Sequence, residues 1–202
     1  MPKNLLNELL TSPKTFVELV CITFKAEGKH PLEENINSNE NTAENAWKVL
    51  HYGRGTPGIM EGGDVDVAAF NQWVIEAREI GRKLDRETMT DQSIGQWMSN
   101  CPEQEEGIWP CYPVCELLEQ FDASEIRKAF KAGVYNNRGV ITKTYRSGGD
   151  LERNLATKYK GFAEKLNNIY PQTANLLNDI AQSYDYEAKM EDDDVRLSDE
   201  LD

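Results

Sequence analysis

The feature that most constrains this chain is the spacing of its apolar residues in the last third. Leu151, Leu155, Tyr159, Phe162, Leu166 and Ile169 recur at intervals of four, four, three, four and three. A strand repeats its faces every two residues, so this rhythm places all six on one side of a helix. Pro171 ends that helix, because it has no N–H to donate and its ring clashes with the preceding turn. Leu176, Leu177, Ile180, Ala181, Tyr184 and Ala188 then describe a second helix. Helices joined by so short a turn pack antiparallel.

Similar spacing runs through the rest of the chain. Leu5, Leu6, Leu9 and Leu10 form a short stripe that stops at Thr11-Ser12-Pro13, where Ser12 can cap and Pro13 can open the next helix. Phe16, Val17, Leu19, Val20 and Phe24 continue at helical spacing, although their β-branched content leaves a strand open. Residues 28–39 are polar and contain Pro31, as a linker would. Asn41 and Glu44 have the spacing of a capping box, and Ala43, Ala46, Trp47 and Leu50 supply an apolar face up to Tyr52-Gly53. Residues 53–63 hold five glycines and Pro57, a flexible loop; lacking a Gly-Lys-Ser/Thr ending, it is no phosphate-cradling P-loop.

Asp66 can cap the helix of Phe70, Trp73, Val74, Ala77, Ile80 and Leu84. Thr88 with Asp91, followed by Ile94, Trp97 and Met98, suggests another helix ending near Asn100, and Pro102 to Pro110 is an acidic loop carrying Trp109. Val114, Leu117, Leu118 and Phe121 make a short helix. Asp122 with Glu125 opens another through Ile126 and Phe130, and Gly133 is placed to stop it. The expected fold is all-α: an irregular bundle of about seven to eight helices with Gly-rich loops. Residues 1–40 read as an N-terminal helical segment and linker, and 41–190 as the main helical domain. Residues 191–202 read as an acidic tail too poor in apolar side chains to offset the entropy of ordering.

With 39% hydrophobic and 28% charged residues, a chain of 202 residues builds a sufficient core without disulfides or metal. The longest apolar run, Phe16 to Phe24, is broken by Glu18 and falls short of the roughly 20 residues of a membrane span. Met1-Pro2-Lys3-Asn4 lacks the apolar core of a secretory signal, so a reducing cytoplasmic setting is expected.

Charge comes in blocks. Residues 1–126 carry 10 Lys and Arg against 22 Asp and Glu, whereas residues 127–165 carry 10 against 3. The net charge of −13 argues against a whole-molecule nucleic-acid binder, since phosphate affinity needs a positive surface. Within the basic block, Tyr135-Asn136-Asn137-Arg138-Gly139-Val140 leads through Lys143, Tyr145 and Arg146 to Gly148-Gly149, ahead of Arg153. A loop with these residues on a helical frame can recognise a carboxylate or phosphate through its guanidiniums while tyrosines stack. The competing reading is a solvated loop whose arginines pair with the chain's own acid, the tail being one source of it.

Groups that could carry chemistry are few. Cys101, Cys111 and Cys115 with His51 have the atom types of a zinc site, but gaps of nine and three intervening residues do not match structural zinc loops. Cys111 and Cys115 also fit one helix face as small apolar residues. His30 has no thiol near it in sequence, and His51 suits the negative end of a helix dipole. Glu61, Asp64 and Asp66 offer hard oxygens without the alternation of a calcium loop. No catalytic residue and no cofactor is expected.

Trp47-x-x-Leu50 with its following Pro-Gly loop, Ile94-Gly95-Gln96, Trp109-Pro110, the run from Gly133 to Val140, and Arg153 before Tyr159 together resemble the C-terminal helical region of long bacterial multidomain proteins. Some of these belong to anti-phage defence systems, and the likeness covers about residues 45–190. The resemblance implies an interaction role and no catalytic residues. The expected function is a non-enzymatic interaction module that docks onto a protein partner through Arg138, Lys143, Arg146 and Arg153, with Tyr135 and Tyr145. Nucleic-acid or nucleotide binding through the same segment is the alternative.

Overall fold

The computed structural model describes residues 3–28, 40–139 and 148–199. Among them the regular structure is helical, with only an isolated bridge between Ile59 and Val65. The helices are α1 Lys3–Thr11, α2 Pro13–Thr23, α3 Glu40–Tyr52, α4 Val67–Lys83, α5 Glu87–Met98, α6 Tyr112–Glu119, α7 Ser124–Asn137, α8 Asp150–Leu166 and α9 Pro171–Asp199. The all-α expectation holds, with nine α-helices among the described residues rather than seven to eight. Residues 13–23, whose β-branched content also allows a strand, are helical: Ser12 accepts from the Thr15 N–H and Pro13 occupies the first turn.

The chain forms two compact units, Met1–Gln104 with Pro110–Asn137, and Glu105–Trp109 with Arg138–Asp202. Helix α7 ends at Asn137, two residues before Gly139, whose φ of +69° is the left-handed geometry that closes many helices.

The first unit is organised around three rings. Phe16 meets Trp73 edge-on at 4.9 Å and Trp97 at 5.2 Å between centroids. Each indole N–H finds a carbonyl in the last turn of another helix: Trp73 donates to Leu9 (3.1 Å) and Trp97 to Leu50 (2.8 Å). Those carbonyls have no partner inside their own helix, so two buried donors are satisfied and two helix ends are closed by the same bonds.

Helices α5 and α7 cross closely through two glycines. A Cβ on Gly95 would collide with the Ile126 carbonyl, and one on Gly133 would collide with the Ser99 hydroxyl and lie 3.1 Å from the Gln96 carbonyl. Gly133 therefore does not stop α7, which runs four residues further to Asn137. Asp91 and Asp122, read as helix-start signals, instead flank Arg78. The guanidinium donates to both Asp91 oxygens at 2.9 and 3.0 Å and pairs with the Asp122 carboxylate at 3.1 Å. The start of α5 is closed from elsewhere, by Glu27 Oε1 accepting from the Thr88 N–H at 2.7 Å. Asp66 does cap α4, accepting from Ala68 and Ala69. The preceding glycine loop is folded rather than open: Met60 N–H donates to Asp64 O, and Asp66 N–H to Gly58 O.

In the second unit, α8 and α9 form an antiparallel hairpin. Gly149 lies against Ala188, where a Cβ would strike the Ala188 carbonyl. Trp109 packs on Tyr159 and Phe162 at 5.8 and 5.7 Å, and Tyr159 stacks on Tyr184 at 5.7 Å. Ile169, counted with the apolar stripe, lies past the end of α8 and is exposed. Helix α9 extends through residues 191–199, where the composition predicts a mobile tail.

Candidate functional site

The expected contact residues divide into those the structure places and those it does not. Lys143, Tyr145 and Arg146 lie outside the described residues, as does His30. Tyr135 is half-buried in the last turns of α7. Arg138 and Arg153 are both held by carboxylates of their own unit.

Arg138 bonds Glu152 Oε1 through Nη2 and Glu187 Oε2 through Nη1 at 2.9 Å. Its guanidinium carbon sits 5.4 Å above the centre of the buried Tyr184 ring. Glu152 is itself buried, so this arginine brings a positive charge to a carboxylate removed from water. Partial burial disfavours the charged guanidinium, but the hydrogen bond and charge of Glu152 outweigh it and hold Arg138 above its ordinary value. Arg153 reaches Asp192 at 2.5 Å and Asp150 at 2.7 Å, and Asp192 also accepts from the Gly149 N–H at 2.9 Å. The Arg153 bond, followed by the Gly149 bond, holds the Asp192 carboxyl below the usual range. Acid from the C-terminal turns of α9 thus serves as an internal partner of the basic block. Both guanidiniums are engaged by carboxylates of their own unit, Arg138 in a largely buried setting and Arg153 at an exposed one.

Cys21, Cys101, Cys111 and Cys115 are buried and not joined by disulfides. Cys101 shares a hydrogen bond with Cys111, which lowers the Cys111 thiol, while burial pushes Cys101 and Cys115 up. The Cys115 thiol donates to the Pro110 carbonyl at 3.2 Å. His51, the suggested fourth zinc ligand, instead stacks on Trp47, and Gln96 Nε2 lies 3.2 Å from its Nδ1. Among the described residues, no group of three or more His, Cys, Asp or Glu is arranged to hold a metal ion. Asp66 is committed to its cap, and Glu61 and Asp64 are exposed beside it in sequence.

A surface that the sequence did not reveal lies on α3. Ala46 and Leu50 face the core, but Trp47, counted with them, is 41% exposed and Tyr52 is 63% exposed. Trp47 and His51 are stacked at 4.6 Å with planes 10° apart, and Tyr52 meets both edge-on at 6.1 and 4.8 Å. The Gln96 amide also donates to the His51 carbonyl at 3.1 Å, which anchors the end of the helix and its rings. The i, i+4 spacing of Trp47 and His51 was the available signal. Among the described residues, no helix is long and apolar enough to cross a membrane. Comparison with protein-family models, with curated protein sequences and with solved structures finds no match to this chain.

Proposed function

We propose that this chain is a non-enzymatic, all-α interaction module that docks onto a protein partner through the aromatic cluster of α3, as part of or partner to a larger bacterial assembly. The observation that carries this reading is the pre-organised trio of Trp47, His51 and Tyr52, two of whose rings face solvent. Trp and Tyr dominate interface energetics because they bury large area at small rotamer cost, and rings already locked against each other lose less still on binding. A nucleic-acid reading gains no support from Arg138 and Arg153, whose charges are internally matched.

The test is affinity capture from the native host, comparing the wild-type chain with Trp47→Ala plus Tyr52→Ala and with Arg153→Ala. Loss of two aromatic anchors at about 2 kcal/mol or more each weakens a captured partner by well over 100-fold. The reading expects the same partner with wild type and Arg153→Ala and its loss with the aromatic variant. A partner that survives the aromatic change and disappears with Arg153→Ala refutes it.

A further inference from the structure

Cys101 and Cys111 stand at the two ends of the 102–110 loop, and folding brings their sulfurs into hydrogen-bond contact. Both belong to the first unit, whereas Glu105–Trp109 between them folds with the second. The Cys101 N–H closes a turn on the Met98 carbonyl at 3.0 Å, which fixes that side of the pair. Cys111 is the N-cap of α6, where the positive end of the helix favours a thiolate. Burial raises the thiols of Cys21, Cys101 and Cys115, but at Cys111 the hydrogen bond from Cys101 outweighs burial and lowers the thiol. Within the pair, Cys111 is therefore the first to lose its proton, and Cys101 keeps its own. Two thiols that merely filled a core as small apolar groups would not need this division. Cys115, one turn further along α6, spends its proton on the Pro110 carbonyl at 3.2 Å.

We propose that Cys101 and Cys111 are a redox-active pair that hydrogen peroxide converts to an intramolecular disulfide. The Cys111 thiolate attacks one peroxide oxygen, the O–O bond breaks, and hydroxide leaves with the proton that Cys111 released, as water. The sulfenic acid so formed is attacked by the Cys101 sulfur: the S–S bond forms, the S–O bond breaks, and the Cys101 proton departs with the hydroxyl as a second water. Two thiols and one peroxide thus give one disulfide and two waters, and a small dithiol, oxidised to its own disulfide, reverses the bond. Access selects the oxidant. Cys101 is 5% exposed and Cys111 fully covered, so a molecule little larger than water reaches the pair from the Cys101 side where a bulky aromatic disulfide does not. A bond of about 2.0 Å then shortens a contact the fold already makes. The pair uses none of the α3 rings, so the docking reading and this one fail separately.

The experiment treats the full chain with hydrogen peroxide, blocks the remaining thiols with iodoacetamide in urea, and maps the peptides of a glutamyl protease by mass spectrometry. Cleavage after Glu103 and Glu106 parts Cys101 from Cys111, so their bond appears as two linked peptides that dithiothreitol separates. The wild-type chain should show this link with Cys21 still alkylated, and Cys115→Ala should show it too. Cys101→Ala should form no link and lose the Cys111 thiol about tenfold more slowly, with circular dichroism confirming its helices. A disulfide that includes Cys21 or joins Cys111 to Cys115, separate sulfinic or sulfonic acids without a link, or four intact thiols at a peroxide concentration that oxidises the urea-unfolded chain overturns the proposal.

Discussion

Gly95→Ala gives the sharpest test of how the first unit is held together. Glycine in a helix interior is worth about 1 kcal/mol less than alanine, so at an open site the substitution stabilises. At Gly95 the added Cβ meets the Ile126 carbonyl and comes within 3.0 Å of the Ala129 Cβ. Backbone cannot swing aside as a flexible side chain does, so α5 and α7 must separate, at the upper end of the 1–3 kcal/mol typical of overpacking. The net expectation is a loss of about 2 kcal/mol, roughly a 30-fold shift in the folding equilibrium. Gly161, in α8 and with nothing within 4 Å of its Cβ position, is the matched control and should gain up to about 1 kcal/mol on the same change. Urea unfolding read by tryptophan fluorescence reports chiefly the first unit, which holds Trp47, Trp73 and Trp97, while far-UV circular dichroism sums the helices of both units, α8 included. A Gly95→Ala protein as stable as wild type, or more so, refutes the close helix crossing.

Arg78→Met should cost about 3 kcal/mol in urea unfolding, because it strands the buried Asp91 carboxylate, and adding Asp91→Leu should recover most of the loss. Stability should fall as pH drops below about 4. Arg78 holds Asp122, and Arg153 holds Asp192, below the ordinary carboxylate value, so stability present above the unfolded pKa is lost as these groups protonate. Asp91, raised by burial, opposes this trend, so thermal melts between pH 6 and 3 should steepen in an Asp91→Asn background. Ellman's reagent should find no rapidly reacting thiol in the folded chain and all four after denaturation, since every cysteine is buried.

What could be read from the sequence was mostly local. Ser12 and Asp66 cap as expected because their partners lie two or three residues away. Asp91, Asp122 and Gly133 carry the same local signatures but answer to distant neighbours: Arg78 claims the two carboxylates, and Ser99 with Gln96 requires the missing side chain at 133. Apolar spacing placed Ala46 and Leu50 correctly yet could not show that Trp47, one position round the helix, finds His51 and solvent instead of the core. The basic block was visible as charge, but the pairing of Arg138 and Arg153 with Glu187 and Asp192 depends on α9 folding back against them, which residue spacing does not specify. Helical order in residues 191–199 was hidden for a related reason, because Asp192 is tied to Arg153 and Gly149.

Oxidative footprinting of the captured complex addresses the docking surface most directly. Free protein should be modified readily at Trp47 and Tyr52, whose rings face water. On binding, both residues should be protected severalfold while the buried Trp97 is unchanged. Full reactivity of Trp47 and Tyr52 in the complex, with protection confined to other surfaces, would contradict the account.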